Sequence, residues 1–193
     1  MPPGTAPTAS PLLDGRWSLL WTCAAADAAF AAASPEAGDP LGLRSAVQAA
    51  SDAAYTFFYS RVPFIAGAAP AGNALGPARA TGTWQSIDRA ARSVANEAQL
   101  EFAPGQRLSV TVAGSAVAAT PTRLDVTFLS FDVALGPPDA PLRLSLPLSL
   151  LAPRGAVETT YLDAQLRIGR GDKGSVFVCA RAGSREEASA DGQ

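Results

Sequence analysis

The 193-residue chain contains no histidine, one lysine (Lys173) and two cysteines (Cys23 and Cys179). Without an imidazole, neither a Ser-His-Asp nor a Cys-His nucleophile can be assembled, and no zinc, haem or non-haem iron can be held through His. What remains is carboxylate chemistry, an activated Lys or a lone thiol. Neither cysteine has a His or Lys close in sequence that would lower its pKa, so neither reads as a nucleophile. The carboxylates Asp88, Glu97 and Asp163 could serve as general acids or bases, but their spacing puts no two of them together on one face. No metal ligand set and no cofactor motif is present. The run Gly169-Arg170-Gly171-Asp172-Lys173-Gly174 lacks the spacing of a phosphate-binding loop and reads as a tight hairpin; its Arg-Gly-Asp is too short a match to imply adhesion. A binding or structural role is therefore expected rather than an enzymatic one.

Charge and hydropathy narrow the partners. Seventeen acidic residues against fifteen basic ones leave a net charge of −2 and a pI near 5.1, which is not the basic footprint of a nucleic-acid binder. No stretch reaches the roughly 18 unbroken apolar residues of a spanning helix. Residues 1–11 carry four prolines among small residues and read as a disordered lead-in, without the features of a secretory signal. Residues 12–183 read as one domain and the polar stretch 184–193 as a disordered tail.

The elements that must position any site are mostly strands. Trp17, Leu19, Trp21 and Cys23 share one face at period two. Residues 24–33 and 43–58 favour helix, and 67–80 read as a loop. From Thr81 onward period two persists: Asn96, Ala98, Leu100 and Phe102; then Leu108, Val110 and Val112; then Leu124, Val126 and Phe128. There the phase slips by one to Leu129, Phe131 and Val133, which predicts a bulge near Phe128. Leu142, Leu144, Leu146, Leu148 and Leu150 alternate with polar residues and with Pro147, which requires a position needing no ladder bond. The last two strands are expected over 157–168 and 175–181. About eight amphipathic strands separated by Gly/Pro turns imply an antiparallel sandwich or an up-and-down barrel, with one or two helices between the first and second strands.

Four blocks, taken in order, resemble the plastid lipid-associated proteins, also called plastid fibrillins. They are Leu13-Asp14-Gly15-Arg16-Trp17 with Trp21; Trp84-Gln85-Ser86-Ile87-Asp88 followed by Asn96; the apolar strand 123–128; and the most specific, Tyr161-Leu162-Asp163 through Arg167-Ile168-Gly169-Arg170-Gly171-Asp172-Lys173-Gly174 to Phe177. The resemblance spans roughly residues 12–181. It implies a lipocalin-like barrel in plastids, at thylakoids or plastoglobules, that binds or organises apolar lipids or isoprenoids without catalysis. The alternative is a barrel filled by side chains that scaffolds a plastid enzyme or membrane complex.

The resemblance also implies a closing pair, a first-strand Trp packed beneath a late-strand Arg. Trp17 is the Trp, Arg167 the first candidate Arg, and Arg170 and Arg181 its rivals; Asp163 is expected to pair with one of them or to face water. If the barrel is hollow, its expected lining is Trp21, Trp84, Phe102, Val112, Val126, Phe128 and Leu146. The cluster Phe57-Phe58-Tyr59 and the stretch to Ile65 are expected to form a lid or to touch a membrane. Cys23 and Cys179 lie on the first and last strands, open either to a disulfide or, in a reducing compartment, to two buried thiols.

Overall fold

A computed structural model describes residues 6–23, 79–149, 152–172 and 174–183. Its nine strands, all antiparallel to their neighbours, are β1 Gly15–Cys23, β2 Arg79–Asp88, β3 Ser93–Ala103, β4 Gln106–Ala118, β5 Arg123–Gly136, β6 Leu142–Pro147, β7 Arg154–Leu162, β8 Leu166–Gly171 and β9 Val176–Arg181. They form a single sheet in the order β4-β3-β2-β1-β9-β8-β7-β5-β6. An additional β4–β5 pairing, from Arg107↔Gly136 to Ala118↔Leu124, joins the two flanks. Eight strands thus hydrogen-bond into a closed ring, and β6 is the strand left outside it.

The expected strand over 157–168 is two strands, which makes the count nine rather than about eight. The break is local chemistry: the Asp163 Oδ1 accepts from the backbone N–H of Gln165 (2.7 Å) and Leu166 (2.6 Å), turning the chain between β7 and β8. β6 pairs with the second half of β5, from Leu135↔Leu142 to Ser130↔Pro147. Among the described residues its other edge carries no strand, so Pro147 costs no ladder bond there. The helices expected over 24–33 and 43–58 and the lid over 57–65 lie outside the described residues, as do the tail and most of the 67–80 loop, whose last two residues begin β2.

Two bulges decide which side chains enter the ring. In β5 the register passes from Ala113↔Ser130 to Gly114↔Phe128, so the extra residue is Leu129, next to the phase slip visible in the sequence. Leu124, Val126 and Phe128 before it and Phe131, Val133 and Leu135 after it therefore share the inner face. In β1 the register passes from Leu19↔Cys179 to Trp21↔Val178. Direct partners in an antiparallel pair point to the same side, so this bulge turns Trp21 away from the face that Trp17 and Leu19 share.

The larger of two core clusters fills one end of the ring, where β1 starts and β2 ends, and a smaller one, Ala98 and Leu100 with Leu108 against them, lies where β3 ends and β4 begins. Leu13, Ile87, Val94, Ala116, Leu124, Val126 and Val157 form one buried cluster, flanked by Phe128 and Leu162. Leu13 comes from the second of two short 3-10 turns, Pro7–Ala9 and Pro11–Leu13, and acts as a plug. Part of the expected disordered lead-in is thus ordered from Pro7 on. Thr8 fastens it: its backbone N–H donates to Pro121 O (3.0 Å), and its Oγ1 proton is shared between the carbonyls of Thr120 (3.0 Å) and Pro121 (2.9 Å).

Beside the β5 bulge, β4 must come very close to its partner, and Gly114 is the residue there. A Cβ at this position would lie 2.3 Å from the carbonyl oxygen of Thr127 and 3.0 Å from Cα of Phe128, both backbone atoms with no rotamer to yield. Gly114→Ala is accordingly expected to destabilise by about 2–3 kcal/mol, lowering the thermal midpoint by roughly 5–10 °C for a domain of this size. Differential scanning calorimetry of the variant checks this, and an unchanged midpoint would contradict the packing at this bulge.

Candidate functional site

The plugged end is organised around Trp17, which is fully buried. Its indole Nε1 donates to the carbonyl of Leu13 (3.0 Å). The guanidinium of Arg181 lies over its ring at 4.0 Å and donates to the carbonyls of Leu12, Asp14 (2.6 Å) and Ala164 (3.1 Å). Gly15 makes this approach possible. Its φ is +118°, a conformation costly for any side chain, and a Cβ would sit 2.6 Å from Arg181 Nη1.

Arg89 adds a second clamp on the same turn, donating through its backbone N (2.9 Å), Nε (3.0 and 3.1 Å) and Nη2 (2.9 Å) to the Asp14 carboxylate. The Arg89 hydrogen bonds hold Asp14 below the usual carboxylate range, against the opposing effect of partial burial.

Inside the ring is a cavity of about 100 Å³. Trp17, Leu19, Val126, Phe128, Val157 and Phe177 supply apolar walls, and Gln85, Asn96, Arg167, Asp172 and Cys179 the polar ones. Arg167 is only 2% exposed. Its Nη2 donates to Gln85 Oε1 and lies 3.9 Å from Cys179 Sγ, while Gln85 is itself tied to Asn96 (2.8 Å). Burial pushes the Arg167 pKa down, with Arg181 adding repulsion and Cys179 opposing. A guanidinium starts so far above neutrality that it stays charged.

Among the Arg candidates for the closing position, the geometry favours Arg181 over Arg167. Arg181 has both the stack and the carbonyl acceptors, whereas Arg167 is 5.6 Å from the Trp17 ring and turns toward the cavity. Arg170, three residues along β8, is exposed on the opposite face. Asp163 does not pair with an arginine. Besides capping the turn, it accepts from Tyr161 Oη (2.7 Å). The Tyr161 bond, followed by the Gln165 and Leu166 amides, holds its pKa below the ordinary value.

The expected lining residues divide. Val126 and Phe128 face the cavity, and Val112, opposite Phe131 and Asn96, is on the same face of the sheet. Trp84 borders the cavity through its strand, but its ring lies under the Arg16 guanidinium at 4.4 Å, beside the Arg16–Glu97 ion pair of 2.9 Å. It pairs with Ser18, on the face opposite Trp17. Trp21 is 53% exposed, turned outward by the β1 bulge. Phe102, at the β3 bulge between Glu101 and Ala103, and Leu146, on β6, are also exposed.

Cys179 carries a free, buried thiol. The ring does make β1 and β9 neighbours, with Cys179 opposite Leu19 and Cys23 opposite Val176. Asp88 caps the next turn through the Ala91 amide (2.8 Å), and Glu97 is held by Arg16 and Gln99. With Asp163 at its own turn, each carboxylate named for catalysis is engaged in holding structure. Sequence reasoning did not single out Gln85 and Asn96 as cavity residues; polar side chains at inward positions of apolar strands were the available signal.

These features define a mainly-β, single-sheet protein whose unusual chemistry lies inside a ring of strands with one plugged end. A sequence model of the PAP_fibrillin family matches residues 48–180. The chain belongs to that family, the plastid fibrillins, which are generally structural or lipid-associated rather than enzymatic. The matched span runs through β2–β8 and into β9; the Gly15-Arg16-Trp17 block precedes it. No curated protein matches the chain.

Two outcomes are expected from this geometry. Arg181→Lys keeps the charge but loses the planar stack and the fork of donors, and should cost about 1–3 kcal/mol in urea unfolding; an effect under about 0.5 kcal/mol would mean that Arg181 does not close the ring. Because the folded pKa of Asp14 is depressed, its contribution is complete above the unfolded value of about 3.9 and is lost as pH falls through the folded value. Asp14→Asn should therefore flatten the stability profile below about pH 4 in an acid titration followed by Trp fluorescence.

Proposed function

We propose that this chain binds or organises apolar lipids or isoprenoids, without catalysis, in a lipocalin-like barrel at plastid thylakoids or plastoglobules. One observation carries the reading: in a member of the plastid fibrillin family, a closed ring of strands surrounds a cavity with a largely apolar wall. The mechanism is solvation. Each methylene of a prenyl or acyl chain that leaves water for the interior gains about 0.8 kcal/mol, and Val112, Val126 and Phe128 are the residues proposed to receive it. No group that titrates near pH 7 is required. The partners on this reading are an apolar lipid and, peripherally, a membrane or lipid-droplet surface; nucleic acid does not fit the acidic pI near 5.1.

A second reading is favoured by one measurement. The cavity, at about 100 Å³, is well under the roughly 300–1,000 Å³ of ordinary small-molecule sites. A ring largely filled by its own side chains would instead scaffold a plastid enzyme or membrane complex. The exposed leucines of β6, with Leu142 at 74% and Leu144 at 56%, would then belong to the interaction surface.

Mass spectrometry of lipid extracted from protein purified out of its native plastid separates the two. The first reading expects an isoprenoid or acyl lipid bound near one per chain, and a polarity-sensitive apolar probe that binds the delipidated protein and is weakened at least fivefold by Phe128→Trp. If no lipid is extracted and no probe binds, the lipid reading is wrong and the scaffold reading stands.

A further inference from the structure

We infer that the interior of the ring is a receptor for the carboxylate of an acyl chain, with the guanidinium of Arg167 as its anchor. This rests on the reading that the ring takes an apolar lipid, and it names the headgroup. A buried cation normally has a counter-charge, because removing an ion from water is costly unless a partner of opposite sign and enough hydrogen bonds replace the solvent. Arg167 has neither in full. Its Nη2 is used by Gln85 and Cys179, but its Nε and Nη1 are buried with no acceptor. Among the described residues no carboxylate lies within ion-pair distance of it. Asp172, the acid on the cavity wall, acts on Arg123 instead.

Architecture does not account for this cation. The task that would justify a buried Arg, covering Trp17 and satisfying the carbonyls of the plugged end, is performed by Arg181. Arg167 is left with a full charge and unused donors at the wall of a cavity. A neutral carbonyl would satisfy the donors and not the charge; a carboxylate supplies both.

The dimensions suit a headgroup. A cavity of about 100 Å³, well below the roughly 300–1,000 Å³ of sites that enclose a whole small molecule, suits a headgroup and its first carbons. Leu13 blocks the ring at the plugged end, so the rest of the chain must run past Phe128 and Phe177 toward the other.

The test uses the full-length delipidated chain, with parinaric acid and its methyl ester as fluorescent probes and sodium acetate as the free small anion. At pH 7.5 the acid is expected to bind at least about tenfold more tightly than the ester, the scale of a charge-assisted hydrogen bond. Arg167→Met should bring the acid to the affinity of the ester and leave the ester within about twofold, and acetate at probe concentration should not compete. Equal binding of acid and ester, unchanged by Arg167→Met, overturns the headgroup assignment while leaving the lipid reading intact. Binding of neither probe removes the lipid reading and this inference with it. Full competition by acetate would make the cavity a small-anion pocket and also overturn the assignment. Should Arg167→Met fail to fold, the ratio of acid to ester affinity on the unmodified protein decides the question.

Discussion

An antiparallel sheet that closes on itself has no edges to pair, but it leaves open ends, and one of these is sealed here by a single stack. Arg181 lies on Trp17 at 4.0 Å and donates to carbonyls of Leu12, Asp14 and Ala164. It thereby ties together the N-terminal turn, the start of β1 and the β7–β8 hairpin, the first of them 169 positions away from Arg181 in sequence. Only a planar guanidinium can lie flat on an indole while aiming donors in several directions within its plane. Gly15 leaves the space for it, Arg89 grips the Asp14 that precedes it, and Leu13 is held under the indole by the Trp17 N–H bond.

With that end sealed by Arg181, the other inward arginine has a different standing. Arg167 and Cys179 pair across β8 and β9, so side chain and thiol meet inside the ring. The polar relay continues through Gln85 to Asn96 on β2 and β3. The interior thus combines an aromatic and aliphatic wall with one line of hydrogen-bonding groups crossing it, the composition of a site that orients an amphiphile rather than of a uniformly apolar core. Two arginines fourteen positions apart in the chain lie on either side of Trp17, one closing the ring and one facing its contents.

Much of the strand pattern was legible because period-two alternation is a direct image of a half-buried strand. The slip near Phe128 located the Leu129 bulge, since a change of phase in an apolar series has few other causes. The β1 bulge was not legible. Leu19, Leu20 and Trp21 are all apolar, so an extra residue among them leaves the pattern unbroken, and Trp21 is assigned to the wrong face. The turn at Asp163 escaped for a related reason: Ala164 and Gln165 carry no turn signal, and the reversal depends on a carboxylate accepting backbone N–H groups. Of the expected lining, Val126 and Phe128 border the cavity on the face their phase gives, whereas the Trp84 ring lies under Arg16, because a large aromatic is as well accommodated there as inside the ring.

By itself the sequence determined the family and the mainly-β class of the fold, through family blocks in order and amphipathic strands. The family resemblance added the expectation that a late-strand arginine would cover Trp17. Which arginine does so was decided only by tertiary structure. Arg167, Arg170 and Arg181 share a residue type and lie within two neighbouring strands, and what separates them is the β8–β9 register and the three-dimensional position of carbonyls from Leu12 to Ala164. Register is a property of paired strands, set by turns and bulges on both, and no reading of a single strand contains it.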